Sequence, residues 1–136
     1  MIRKFFLVSI CFIILSCSSN KNEANSVADN FVKHYYKFMN IEEAQKYTSM
    51  MAKDKIDKEV SLIREARVKN PNSVAPRSEV TYKLEDVKTD KDMSFITYHL
   101  SITPKGSNTI DKMALITVKN ENGEWKVIDY SETDTK

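Results

Sequence analysis

Residues 110–130 read IDKMALITVKNENGEWKVIDY, and the dipeptide Asn122-Gly123 near the middle of this stretch decides the fold. Asn-Gly between alternating apolar residues is the strongest short-range signal for a β-hairpin with a two-residue turn. We therefore predict one strand over Ile110–Asn120 and another over Glu124–Glu132. A two-residue turn pairs residues whose numbers sum to 245.

This register assigns the side chains of the hairpin to two faces. The face predicted to meet the core holds Trp125, Val127 and Asp129, opposite Asn120, Val118 and Ile116. The other face is half apolar and holds Leu115, Ile128 and Tyr130. Because an apolar patch usually marks a contact site, these three residues are interface candidates. The occupant is a second copy of the chain or an envelope protein; alternatively, the loop Pro104–Thr109 or the tail Thr133–Lys136 covers the face.

A second hairpin precedes the first in the sequence. Val80, Tyr82 and Leu84 alternate with polar residues, and so do Ile96, Tyr98, Leu100 and Ile102. A loop at Thr89–Lys91 would pair residues whose numbers sum to 180, placing Val80 beside Leu100 and separating polar from apolar faces.

Three helices are predicted upstream of the strands. Ser26 resembles an N-cap, and apolar residues at helical spacing follow it: Val27, Phe31, Tyr35 and Phe38. Asn40 caps a second helix that runs to about Met51, with Ala44, Tyr47 and Met51 inside. A third helix covers Asp54–Val68 and ends before Asn70-Pro71.

This order predicts an α+β fold, with three helices on one face of a curved four-stranded antiparallel sheet. The start SVADNFVKHYYKFMNIEEAQKYTSM and the ending VKNENGEWKV resemble small bacterial lipoproteins of the nuclear transport factor 2-like (cystatin-like α+β) superfamily. The resemblance covers about residues 26–131. It implies the fold and leaves the function undefined, and no catalytic residue of that superfamily can be matched to this chain.

The N-terminus carries an export signal. Arg3 and Lys4 precede the apolar run Phe5–Leu15, which is too short to cross a bilayer as a helix. Ile14-Leu15-Ser16-Cys17 resembles the lipobox of bacterial lipoproteins, which implies cleavage before Cys17 and lipidation of its thiol. We therefore expect a signal peptide at 1–16, a lipidated cysteine and polar tether at 17–25, a domain at 26–132 and a tail at 133–136. Ser18 after the cysteine resembles the sorting pattern for the outer membrane, facing the periplasm.

Composition excludes several classes of function. Residues 1–16 contain two basic residues and no acidic one, so the remainder has 19 of each. No basic run indicates nucleic acid binding. Cys17 is the only cysteine after the signal, which excludes an intrachain disulfide, and no sequence pattern indicates a metal or a cofactor.

The candidate site residues are few. His34 and His99 lack the partners of a metal site. Asp129 would have a raised pKa if it lay in an apolar cavity. Together with Asp129, four aromatic residues could line a pocket: Tyr35, Tyr82, Tyr98 and Trp125. We expect a non-enzymatic, membrane-anchored lipoprotein that binds a small apolar ligand or a protein partner. The alternatives are a small pocket enzyme that uses Asp129 and a tyrosine as acid and base, and a structural subunit that docks through the second sheet face.

Overall fold

The structure is a computed structural model that describes residues 17–73 and 76–135. The predicted signal peptide and its cleavage lie outside these residues. The elements in chain order are α1 (Cys17–Val32), a π-helical turn (Lys33–Lys37), α2 (Ile41–Gln45), α3 (Met50–Lys69), β1 (Glu79–Asp90), β2 (Met93–Thr103), β3 (Ile110–Glu121) and β4 (Glu124–Asp134).

The four strands form one antiparallel curved sheet in the order β1-β2-β3-β4, and the helices cover one of its faces. The predicted α+β architecture is therefore confirmed. The core between the layers joins Phe31 of α1 and Ile56 of α3 to inward residues of the sheet, among them Leu100, Ile116 and Val127. None of the helices in the described part of the chain has the length and apolarity needed to span a bilayer.

The predicted polar tether is wrong in its conformation. Residues 18–25 belong to α1, and Ala24 is completely buried in the core. Ser26 lies inside the helix and does not cap it. The spacing Ala24, Ala28, Phe31 explains this, because small and apolar residues three and four positions apart continue the buried stripe towards the N-terminus.

The second helix is shorter than predicted, and the third begins earlier. Asn40 does cap α2, since its side-chain Oδ1 accepts from the Glu43 N–H at 3.1 Å. The chain then leaves the helix to pair with the edge of β4. The Val127 N–H donates to the Tyr47 carbonyl at 2.8 Å, and the Ser49 N–H donates to the Val127 carbonyl at 2.9 Å. Met51, predicted to point inward, is exposed in the first turn of α3.

The π-helical turn changes which aromatic residues are buried. The Phe38 N–H donates to the Lys33 carbonyl at 2.9 Å, a bond over five residues instead of four. The wider turn shifts the phase of the apolar stripe. Phe38, predicted to lie on that stripe, is therefore 48% exposed, while Tyr36 is buried.

The first hairpin turns at Lys91-Asp92, and not at Thr89–Lys91 as predicted. Its register places Val80 opposite Ile102 and Leu84 opposite Tyr98. The paired numbers differ from the prediction by two, so the two faces are the predicted ones up to Leu84. Glu85 is then an extra residue in β1, a bulge that reverses the faces beyond it and turns Val87 towards the core.

The last hairpin turns at Asn122-Gly123 as predicted, with positive φ angles of 56° and 89°. The predicted pairs Asn120–Trp125 and Val118–Val127 are present. A bulge then occurs at Ile128, and the pairing continues with Thr117 opposite Asp129. Beyond it the predicted faces of β4 are wrong, because one inserted residue reverses every later side chain of that strand, whereas Ile116 and Leu115 of β3 lie on their predicted faces. β4 also extends through Thr133 and Asp134, which were predicted to be tail.

Candidate functional site

A tyrosine–glutamate cluster, formed by Tyr35, Glu59 and Tyr130, joins the π-helical turn, α3 and β4. The Tyr35 hydroxyl donates to both Glu59 carboxylate oxygens, at 2.8 and 2.9 Å. The Tyr130 hydroxyl donates to Glu59 Oε1 at 3.0 Å. The two tyrosine rings lie 5.1 Å apart, and Phe31 contacts both. One carboxylate therefore ties two secondary-structure elements to α3.

Both tyrosines are held in the protonated form. Burial raises the pKa of Tyr35 well above its usual value, and the hydrogen bond to Glu59 raises it further. Burial raises the pKa of Tyr130 to about 12, while its contact with Tyr35 lowers it and the Glu59 charge raises it. A phenol that keeps its proton is a hydrogen-bond donor and a poor base. The cluster is thus suited to fastening the fold.

Tyr130 was predicted to lie on the outer face as an interface residue, and this is wrong. The bulge at Ile128 turns Tyr130 inward, opposite Ile116, and only 7% of its surface is exposed. Sequence reasoning missed Glu59 because it is one of many charged residues on α3. Its only signal was its position three residues after Ile56 and one before Val60, beside the buried stripe.

Asp129 does not lie in an apolar cavity. Its carboxylate forms an ion pair with Lys55 of α3, and Oδ1 also accepts from the Tyr130 N–H at 2.9 Å. Lys55 donates in addition to the Tyr130 carbonyl at 2.9 Å and lies 5.1 Å from the Tyr130 ring centroid. Asp129 is therefore a paired, half-exposed carboxylate at the sheet edge, and the geometry gives no support for its predicted role as a base.

The other predicted pocket residues do not meet Tyr35 around one cavity. Tyr98 is buried and Tyr82 half-buried, with ring centroids 5.9 Å apart. Burial raises the pKa of Tyr82 to about 12 and also raises that of Tyr98, and Asp29 of α1 adds to both shifts. Trp125 is buried in the core, and its Nε1–H has no partner among the described residues. Three surface clefts of the described chain are lined by other residues.

The outer face of the sheet keeps part of the predicted apolar patch. Leu115, 39% exposed, lies opposite Thr97, and Met113 lies opposite His99. Phe95, opposite Thr117, is half-buried on the same face. Ile128 is the half-buried extra residue of the β4 bulge. We call Phe95, Met113 and Leu115 the outer patch; it is smaller than predicted because Tyr130 does not belong to it.

The two histidines occupy different environments. His99 Nε2 lies 3.3 Å from Asp111, and both side chains are substantially exposed. His34 stacks on Tyr47 with ring centroids 5.9 Å apart. Within residues 17–73 and 76–135, no group of three or more histidine, cysteine or acidic side chains is arranged to hold a metal ion. Cys17, the predicted lipidation site, is helical and belongs to α1.

No protein-family model matches the chain, and no curated protein is similar enough to match it.

Proposed function

We propose that this chain is a non-enzymatic lipoprotein of the bacterial cell envelope, anchored through lipid on Cys17 to the outer membrane and facing the periplasm. The support from the fold is that Cys17 lies in α1, and that this helix is packed into the core by Ala24. A helix rises 1.5 Å per residue, so seven residues hold the domain within ~10 Å of the anchor. A rigid, short connection of this kind suits a protein that works close to the membrane surface.

We propose further that the domain belongs to the nuclear transport factor 2-like superfamily. Its element order, three helices followed by a four-stranded antiparallel sheet, supports this assignment, as does the strand, Asn-Gly turn and Trp-Lys-Val ending. A fold of this kind hosts many unrelated functions, so the assignment carries no activity by itself.

The proposed role is binding, and the observation that carries it is the outer patch. A sheet covered by helices on one face leaves the other available, and the partly exposed apolar side chains clustered there indicate a contact site. The partner we propose is a protein, either a second copy or another envelope protein. The ion pair of half-exposed Asp129 with Lys55 disfavours the alternative of a pocket enzyme based on Asp129.

Anchoring is tested by growing cells with labelled palmitate. The wild type should take up label, and Cys17→Ala should take up none. Cys11→Ala is the matched control, because it removes a cysteine of the predicted signal peptide and should leave labelling unchanged. Label that persists on Cys17→Ala would contradict the proposed anchor.

Association is tested by sedimentation of residues 17–136 carrying Cys17→Ser. Dimers in the micromolar range that Leu115→Lys dissociates would support a two-fold contact through the outer patch. Ile110→Lys is the control, since Ile110 lies on the same strand, is similarly exposed at 47% and faces the other side. A monomeric wild type would rule out self-association, leaving an envelope protein as the proposed partner.

A further inference from the structure

An open cleft of about 530 Å³ lies where the π-helical turn, the C-terminal half of α3 and the residues leading into β1 meet. We call it the basic cleft, after its four basic side chains: His34, Lys37, Arg67 and Arg77. Asn40 and Ser78 add polar groups to the wall. No acidic residue is among the described side chains that line it.

The long cations of the basic cleft are unpaired. Within the described residues, Lys37, Arg67 and Arg77 take part in no ion pair. Arg64, one turn before Arg67 on α3, does have a partner, with Nη2 lying 3.3 Å from the Glu42 carboxylate. Three positive side chains around one concavity repel one another, and a bound anion would relieve that repulsion.

The carboxylates next to the cleft are already engaged. α2 carries Glu42 and Glu43, which form ion pairs with Arg64 and Lys46. The Lys46 ammonium lowers the pKa of Glu43, and the nearby His34 lowers it slightly more. These ion pairs engage both carboxylates with cations outside the basic cleft, while Glu42 also lies beside Arg67 in a neighbouring cleft.

The backbone of the cleft wall is irregular. Met39 has a φ of 51°, a left-handed conformation that is uncommon for a residue with a side chain. It lies two residues after the end of the π-helical turn, and π-helical segments occur frequently at functional sites. His34 in the same wall has a buried Nδ1 atom with no hydrogen-bond partner among the described residues. Irregular backbone and an unpartnered polar atom at one place are a combination typical of binding sites.

We propose that the basic cleft binds a small phosphate-bearing molecule. Arginine matches phosphate oxygens with two parallel N–H donors, and lysine adds a point charge. Phe38 and Met39 line the cleft beside these cations and are 48% and 44% exposed. They offer an apolar surface for the organic group to which the phosphate is attached.

The position of the cleft favours a dissolved ligand over the headgroup of the anchoring membrane. His34 follows Cys17 by about 25 Å of nearly continuous helix, at 1.5 Å per residue. The basic cleft therefore lies at the end of α1 remote from the proposed anchor. The preference for a dissolved ligand over a lipid headgroup rests on the proposed lipidation at Cys17. Binding of the phosphate group itself does not depend on that proposal.

The test uses the full-length protein in nanodiscs of phosphatidylcholine, titrated calorimetrically with inorganic phosphate and with inorganic pyrophosphate. We expect saturable binding that weakens about tenfold in Arg67→Gln and in Arg77→Gln, because a charge-assisted hydrogen bond contributes about that factor. Arg77→Lys should recover part of the loss, since it keeps the charge without the planar fork. Added salt should weaken binding in the wild type more than in either variant.

Lys58→Gln is the matched control, because it also removes one positive charge from the same helix, at an exposed residue outside the basic cleft. It should leave binding within about twofold of wild type.

A second experiment measures co-sedimentation of the protein with vesicles that contain phosphatidic acid. Vesicle capture that is lost in Arg67→Gln, without binding of free phosphate, would support the phosphate site and reassign its source to a lipid headgroup. The proposal is overturned by no binding to any of these probes at millimolar concentration, or by equal losses in Lys58→Gln and Arg67→Gln.

Discussion

Two groups of polar side chains meet α3 about two helical turns apart, one at Glu59 and the other at Arg67. In the tyrosine–glutamate cluster, two hydroxyl donors meet one carboxylate acceptor, and the two tyrosine rings pack against each other. In the basic cleft, cations surround an open space with no acidic residue among the described lining residues. The first arrangement is complete within the chain, and the second is complete only with a ligand. Removing a charge should therefore cost stability at the first and cost binding at the second.

The largest effect is expected for Glu59→Ala. This change leaves the hydroxyls of Tyr35 and Tyr130 without their acceptor, and a buried donor without a partner costs about 1–3 kcal/mol. Since both hydroxyls are only part-buried, we expect the free energy of unfolding to fall by about 2 kcal/mol, measured by urea denaturation. Glu65→Ala, at an exposed position on the same helix, should change it by less than about 0.5 kcal/mol. Equal effects of the two changes would remove the contrast between the two groups.

The next effect concerns high pH. The pKa of Tyr130 is raised from 10 to about 12 in the folded protein, so the folded state favours the neutral phenol. Its contribution to stability is fully present below pH 10 and is lost as the pH rises through about 12. Tyr130→Phe should cost about 1 kcal/mol at pH 8, the contribution of one hydrogen bond, and proportionally less at pH 11.5. Thermal melts at both pH values measure this, with Tyr47→Phe as the control. A cost that stays constant with pH would contradict the role of this proton.

The smallest effect on stability is expected in the basic cleft. Arg67→Gln and Arg77→Gln each remove one member of a set of like charges, so the free energy of unfolding should stay within about 0.5 kcal/mol of wild type or rise. Urea denaturation in phosphate-free buffer measures the intrinsic effect, and adding pyrophosphate should stabilise the wild type and not the variants. A loss of 2 kcal/mol in either variant without ligand would show that the cations hold the fold, as Glu59 does.

The sequence predicted where the strands lie better than it predicted which face their side chains occupy after each bulge. Alternation from Val80 and the turn at Asn122-Gly123 are local signals that act over a few residues, and the sheet follows them. The bulges at Glu85 and Ile128 have no such signal, because either strand could pair straight through at a small local cost. Tyr130 was misplaced for this reason, and Asp129 was assigned to the core face for the same reason. The bulge at Ile128 is stabilised by a distant contact, because it allows Tyr130 to pack against Phe31.

The candidate sites show the same division. Tyr35 could be recognised from its helical spacing, but its partners Glu59 and Tyr130 are 24 and 95 positions further on, so nothing local connects them. The cations of the basic cleft are equally scattered, in a chain whose balance of charge after residue 16 is zero. A search for basic runs does not detect such a site, because its members come from three different elements.

By itself, the sequence determined the periodicity of the helices and strands, the position of the last turn, and the order that makes an α+β fold. These features depend on backbone propensity and side-chain spacing within a few residues, which any short stretch displays. Only the tertiary structure decided that residues 18–25 join α1, that a π-helical turn exposes Phe38, and that Lys37, Arg67 and Arg77 face one space. An added residue in a strand, or a wide helical turn, changes the direction of every later side chain in that element. Only contacts with residues distant in the sequence offset its local free-energy cost. The folded chain as a whole therefore sets which side chains meet.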